Sequence, residues 1–391
     1  MLFLWGDMMK VKLGDVCEIV SGTTPKSNCP EYWNGELNWI TPAELNDDIV
    51  VVNESQRKIT TKAVIDSNLR SFPAGTVLLS SRAPIGKVAI AGKEMYCNQG
   101  FKNLICSDFV YNKYLFYFLK SKVTYLNSLG RGATFKEISK TIVENIQINL
   151  PKKEEQYKIV HILDKINEII FLRQQQLKKL DELVKSRFIE MFGSFPENSK
   201  NWKICTIKEI VSDVRYGTSR AAVDGGKYPY LRMNNITYDG ELDLTDLKYI
   251  DIPDKELEKC TVKCGDVLFN RTNSKELVGK TCVYNRNDTM VLAGFIIRIR
   301  VNENILPVFL AMFLNMDFSK TMLKEMCKSA IGQANINATE LQKIRIILPP
   351  IELQEEFVKF KNQTGKSKLE IKKSLDKLEI LKKSLMQEYF S

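Results

Sequence analysis

Histidine is almost missing from this sequence, with one residue in 391. A zinc site built from cysteine and histidine is therefore not expected, and no metal ligands are assigned. The single His161 sits between Val160 and Ile162 in a helical stretch, where packing or an interface suits it better than catalysis. The nine cysteines form no CxxC pair, and Cys260 and Cys264 are the closest two. Scattered free thiols of odd number fit a reducing, cytoplasmic setting. The opening run MLFLWGD is too short and not basic enough for a secretion signal, and no apolar run reaches a membrane-spanning length.

Catalytic motifs are missing as well. Gly279-Lys280-Thr281 and Gly365-Lys366-Ser367 look like ends of a phosphate-cradling loop, but Ser274 and Phe360 stand where its first glycine belongs. The chain has no Asn/Asp-Pro-Pro-aromatic motif of an amino-group methyltransferase, and Glu370-x-Lys372 is better read as a solvated helix face than as part of a nuclease site. Disorder is excluded by 44% apolar and 27% charged residues, which can build ordinary cores. The length suits two domains with connecting structure. The net charge of +10 permits an anionic partner.

Proline and glycine are absent from 152–192, and apolar residues there step by four and three: Ile159, Leu163, Ile166, Ile170, a break at Arg173, then Leu177, Leu180, Val184, a break at Arg187, and Met191. This heptad seam predicts a long helix that needs a partner. The residues from Pro350 to the C-terminus supply one through Ile371, Leu375, Leu378, Leu385 and Tyr389. Its stripe is poor between Lys361 and Lys368, where Gly365 also sits, so a frayed or kinked start is expected.

The remainder is a repeat. VKLGDVCEIVSGTTPK from Val11 returns as ICTIKEIVSDVRYGTSR from Ile204, LNWITPAELND from Leu37 as YPYLRMNNITYDG from Tyr228, and FPAGTVLLSSRAPIGKVAIAG from Phe72 as VKCGDVLFNRTNSKELVGKTCVYN from Val262. NQGFKNLIC from Asn98 answers to LAGFIIRIRV from Leu292, and GRGATFKEISKTIVENIQINLP from Gly130 to AIGQANINATELQKIRIILPP from Ala330. The order is kept throughout. Net charge repeats too, at +3, +2, +3 and +2 for 1–151, 152–192, 193–350 and 351–391. Short β-branched runs alternate with turn signals, and 112–126 and 306–326 read as helical, so each globular part is mixed α/β (α+β). The expected plan is two similar domains joined by two long antiparallel helices, a coiled-coil spacer with a pseudo-twofold internal repeat. Its parts are 1–150, 151–193, 194–349 and 350–391.

Three loop pairs recur at matched places and carry hydrogen-bonding side chains. They are Ser80 to Lys87 (with Ser81 and Arg82) against Asn270 to Ser274 (with Arg271 and Asn273), Gly130 to Lys136 (with Arg131 and Thr134) against Gly332 to Asn337 (with Gln333 and Asn335), and Ser21 to Lys26 (with Thr23) against Tyr216 to Arg220 (with Thr218). Arginine can bond guanine O6 and N7 in bidentate fashion, asparagine or glutamine can bond adenine, and serine or threonine can serve a base or a phosphate. Polar loops also simply turn a chain, but their recurrence favours a shared task.

With SSRAPIGKVAI and NQGFKNL in the first half, and INLPKKEEQYKIVHIL from Ile148 repeated as IILPPIELQEEFVKF from Ile346, the sequence resembles the specificity (S, HsdS) subunit of type I restriction-modification systems from Val11 to Phe390. The resemblance implies two target-recognition domains, each reading one half of a bipartite, asymmetric duplex DNA site, with the helices as spacers that set the gap. It implies no catalysis and no cofactor on this chain. Two methyltransferase (M) subunits would carry S-adenosylmethionine and methylate adenine N6, and restriction (R) subunits would add ATP- and Mg-dependent translocation and cleavage. Arg82, Lys87, Arg131 and Lys136 in the first domain, with Arg220, Arg232, Arg271 and Lys280 in the second, would contact phosphate or guanine. Asn98, Gln99, Asn270, Asn273, Gln333 and Asn335 are base-edge candidates. A helical scaffold that binds protein without reading DNA, and a specificity partner of a fused methyltransferase-nuclease, are the alternatives.

Overall fold

A computed structural model of the chain describes residues 9–46, 49–131, 136–330 and 333–391. Backbone contacts divide it into two compact units, unit 1 from residues up to Gln174 with Lys373–Ser391, and unit 2 from Gln175–Lys372. Both boundaries fall inside long helices, so each unit consists of a globular part and two half-helices.

In unit 1 a five-stranded sheet runs in the order Cys17–Ser21, Lys102–Cys106, Val77–Leu79, Val88–Ala91, Val51–Val52. The central Val77–Leu79 is buried on both faces, which is why it is a continuous apolar run. Val77 and Leu79 face the cluster containing Tyr114, Leu115 and Phe118, while Leu78 faces Phe72 and Phe101. A second sheet pairs Trp33–Ile40 with Lys58–Ile59 and, in parallel, with Tyr96–Cys97. Met9–Lys12 and Gln147–Leu150 close the domain where the central helix begins.

Unit 2 repeats this plan. Its four-stranded sheet runs Val211–Tyr216, Ile296–Val301, Val267–Asn270, Thr281–Val283, and Val267 and Phe269 again face one cluster while Leu268 faces another. Tyr228–Leu231 pairs with Lys248–Ile250 and, in parallel, with Val291–Leu292, and Lys203–Thr206 pairs with Arg345–Leu348. The two stretches read as helical each form two helices, Asn112–Ser121 with Val123–Leu129, and Pro307–Asn315 with Asp317–Met326.

The central helix spans Lys153–Phe192 and the C-terminal helix Ile351–Phe390. They pack together, and the pairing in each unit is antiparallel. In unit 1, Ile159, Val160 and Leu163 share a cluster with Phe390 and Leu385. In unit 2, Lys368 bonds Asp181, while Arg187 reaches back to Glu356 at 3.0 Å and Phe188 meets Phe357. Ile159, Leu163, Ile166, Val184, Ile371 and Leu375 are buried, and Ile170, Leu177, Leu180, Leu378 and Leu385 are half-buried.

Two details differ from the expected seam. Beyond Val184 the buried positions are Phe188 and Phe192, where the expected seam broke at Arg187 and resumed at Met191, because both rings drop into the unit 2 core against Phe309 and Phe357. Arg187 stays at the edge, bridging Glu190 and Glu356. The C-terminal helix is also continuous through its weak stretch. Thr364 is buried with its hydroxyl bonded to the Phe360 carbonyl, Lys368 meets Asp181, and Gly365 lies on the exposed face with open space around it.

Each long helix is pinned to its domain by a buried glutamine. Gln156 donates to the Phe109 and Pro151 carbonyls and accepts from the Tyr111 N–H. Gln354 donates to the Asn304 and Pro349 carbonyls and accepts from the Leu306 N–H. Both side chains are 0% exposed, and a fully satisfied buried amide fixes the angle at which the helix leaves its domain.

Candidate nucleic-acid interface

The recurring loops occupy equivalent places in the two units, and backbone hydrogen bonds set the correspondence residue by residue. Ser80 N–H donates to the Lys87 carbonyl as Asn270 N–H does to that of Lys280. Ser81 N–H donates to Gly100 as Arg271 N–H does to Phe295, and Ile138 and Ile336 donate back to Ser81 and Arg271. Ser81 therefore matches Arg271, and Arg82 matches Thr272. The two arginines that look alike in sequence differ by one position, and Phe295 matches Gly100 rather than Phe101.

A close backbone crossing holds the first loop of each unit. Thr23 N–H donates to the Cys97 carbonyl and Thr218 N–H to that of Leu292. The preceding Gly22 and Gly217 lie so near these strands that a Cβ would sit inside the carbonyls of Asn98 and Leu292. Thr23 and Lys26 are exposed, whereas Thr218 is buried with its hydroxyl accepting from the Arg220 N–H at 3.3 Å. Asn98 is half-buried and accepts from the Gly100 N–H, and the exposed Gln99 accepts from the Thr24 hydroxyl.

In unit 1 the structure brings together Ser81, Arg82, Arg131 and a residue that the sequence reading missed. Glu137 bridges to Arg82 and Arg131 through backbone pairing, accepts from Arg82 Nε at 2.8 Å, and accepts from Lys102 Nζ at 3.2 Å. Burial alone would raise the Glu137 carboxyl, but the bonds from Arg82 and Lys102 outweigh it and hold it below the ordinary carboxylate range. Lys102 is itself buried and also reaches the buried Ser81 hydroxyl. Arg131 and Lys136 are exposed beside this network. Thr134 lies outside the described residues.

In unit 2, Thr272 donates its hydroxyl to the exposed Asn335 at 3.2 Å, and Asn273 accepts from the Ser274 N–H. Gln333 lies in the strand Gln333–Asn335, with its side chain outside the described residues. The Arg271 guanidinium lies over the Tyr216 ring, 4.9 Å from its centre.

Three of the candidate side chains are held inward. Asn270 is 0% exposed. Lys87 donates to the Pro42 carbonyl at 3.0 Å, and the buried Lys280 donates to that of Met233 at 2.8 Å. These two lysines tie the loop base to the neighbouring 3-10 turn in the same way in both units. Burial lowers the proton affinity of Lys280. Lys87 is half-buried and Asn270 and Lys280 are buried, so these three offer less of their polar ends to a duplex than the exposed side chains beside them. Arg220 and Arg232 are bonded to Glu256 and Asp246, each at 2.7 Å.

Among the described residues no group of three histidine, cysteine, aspartate or glutamate side chains could hold a metal ion. No described helix is long and apolar enough to cross a membrane. The arrangement offers hydrogen-bond donors, cations and an anion on loops held rigidly at their bases. That is the equipment of recognition rather than of bond making.

Comparison with known proteins bears on the whole chain. The type I restriction modification DNA specificity domain matches residues 6–182 and 199–381. The type I restriction enzyme MjaIX specificity subunit of Methanocaldococcus jannaschii is 39% identical over 51% of this chain and 44% of its own length. The putative MjaX specificity subunit of the same organism is 30% identical over 56% of this chain and 50% of its own, so the chain spans about half the length of these relatives. The MjaVIII specificity subunit is 26% identical over 97% of this chain and 91% of its own length. The fold is shared with a chain from work on assembly and conformational transition of the type I R-M system, at a TM-score of 0.66, 18% identity and 98% and 97% coverage. It is shared too with the crystal structure of the S subunit of M. genitalium, at 0.54, 16% identity and coverage of 100% and 98%. With a duplicated fold, matched loops and family patterns over both halves, the chain belongs to the type I restriction-modification DNA specificity family, that of the S (HsdS) subunit.

Proposed function

We propose that this chain is the sequence-reading subunit of a type I restriction-modification assembly. Each unit reads one half of a bipartite, asymmetric duplex site, and the paired helices set the unread gap. Two M subunits that carry S-adenosylmethionine dock on the chain and methylate adenine. R subunits, where present, bring the ATP- and Mg-dependent steps, and the assembly works in the cytoplasm. The chain itself binds none of these cofactors.

One observation carries this reading. Two copies of a fold hold loops in equivalent places on equivalent backbone bonds, while the side chains on those loops differ. A duplicated scaffold with divergent tips fits two different half-sites. Within it, Arg82, Arg131, Lys136 and Lys26 are proposed contacts in unit 1, with Thr23, Ser81, Asn98 and Gln99 close by. In unit 2 they are Arg271, Asn273, Gln333 and Asn335. Methylome sequencing of cells with and without the gene tests the proposal. Disappearance of one bipartite methyladenine motif is the expected result. An unchanged methylome favours the protein-binding scaffold instead, and copurification with one fused methyltransferase-nuclease would identify the other alternative.

A further inference from the structure

Most of the arginines near these loops are already neutralised. Arg82 is paired with Glu137, Arg220 with Glu256 and Arg232 with Asp246. Among the described residues Arg271 has no ion pair, and its buried Nε has no hydrogen-bond partner. Its backbone is fixed on both sides, by its own N–H on Phe295 and by Ile336 N–H on its carbonyl.

The register defines its neighbours. Tyr216 pairs with Ile297, Ile297 with Phe269, and Asn270 with Ile296. The bond from Arg271 N–H to the Phe295 carbonyl carries this register one step past the strand ends, which sets Tyr216, Arg271 and Phe295 beside one another at the ends of three adjacent strands. Tyr216 is held still, because its hydroxyl accepts from the Ala338 N–H at 2.7 Å where a short helix begins. Phe295 and Tyr216 are 50% and 42% exposed, against the burial usual for rings in this sheet. At the same three positions unit 1 carries Ser21, Ser81 and Gly100, with neither ring nor cation.

We infer that Tyr216, Arg271 and Phe295 form a base reader that takes a guanine, together with an adjoining thymine methyl, in the half-site bound by unit 2. The inference rests on the DNA-reading role proposed above. An unpaired guanidinium keeps its two terminal amino groups for guanine O6 and N7, and the tyrosine ring pre-orients that plane. The exposed phenyl group of Phe295 supplies the apolar contact that a thymine methyl calls for. Unit 1, lacking all three groups, reads its half-site with the Arg82, Glu137 and Lys102 network instead. Tyr216 acts through Arg271 and is a positioning residue.

The test uses the chain assembled with its methyltransferase subunits and duplexes carrying the methylome-derived site. Replacing each guanine of the unit 2 half-site in turn by 7-deazaguanine removes one acceptor without touching the protein. One position is expected to weaken binding by the wild type and to have no effect on Arg271→Ala. Arg271→Ala itself loses about 10- to 100-fold for the cognate guanine relative to other bases. Replacing the neighbouring thymine by deoxyuridine is expected to cost the wild type about fourfold and Phe295→Ala nothing. If Arg271→Ala weakens all sequences alike, or if no guanine substitution distinguishes wild type from variant, the inference is overturned while DNA reading stands. If the wild type shows no sequence preference on any duplex, the DNA-reading role itself fails.

Discussion

Gln354 illustrates how much one buried amide can hold. It satisfies the Leu306 N–H and the carbonyls of Asn304 and Pro349 from a position with no solvent exposure. Gln354→Leu leaves those groups without partners in an apolar site, at a cost of about 2–4 kcal/mol. Urea unfolding is expected to show the loss as a lower midpoint, and Gln156→Leu should behave alike in unit 1. Lys320 makes a different prediction. Its Nζ, 5% exposed by residue, donates to the Gly279 carbonyl at 2.6 Å and to Asn315 Oδ1 at 2.8 Å. Burial, with Lys185, Lys280 and Lys324 adding like charge, pushes its pKa down to about 7. A neutral amine keeps two hydrogens, one for each acceptor. An unfolded lysine titrates near ~10.4, so between these values the unfolded chain binds a proton that the folded chain does not. The contribution of Lys320 is full above the unfolded pKa and is lost as pH falls toward 7. Unfolding midpoints taken from pH 7.5 to 9.5 should rise in the wild type relative to Lys320→Met, and parallel curves would refute the neutral amine.

At the scale of the element, the loops are defined by what ties them down. The Arg82 loop shares backbone bonds with Glu137 and Ile138, and the Glu137 carboxylate pairs with two cations there. Glu137→Gln leaves Arg82 and Lys102 uncompensated on that loop. If it faces a duplex, the slope of log affinity against log salt should steepen by about one released counterion, roughly 0.9. Arg82→Ala should flatten or leave it, and equal slopes in all three proteins would place this loop away from DNA. The long helices were legible because their signal is local. Spacing of three and four needs only the neighbouring turns to be interpreted. The buried positions beyond Val184 were not, since Phe188 and Phe192 are selected by the Phe309 and Phe357 rings, which come from distant parts of the chain.

For the whole molecule, the two helices of 40 residues enter the proposed function as the determinant of the gap. Removing one heptad from each, for example 174–180 with its antiparallel counterpart, shortens each helix by about 10 Å at 1.5 Å per residue. On a duplex rising ~3.4 Å per base pair, the unread gap in the methylation motif should contract by about three base pairs, with both half-sites unchanged. An unaltered gap would remove the helices from that role.

The repeat, the α/β character of each unit and the paired helices were written in the sequence, because order, strand alternation and helical period are properties of contiguous residues. The positions of Gly22 and Gly217 could also be read from the repeat, though not the carbonyls that require them. Which polar side chains remain available was decided only by the tertiary structure. Lys280 turns inward to Met233, Asn270 is enclosed, Arg82 meets Glu137 and Arg271 stacks on Tyr216, each through a partner far along the chain. Composition offers a cation at each such position, but burial and pairing depend on three-dimensional neighbours, and those determine whether its charge faces solvent.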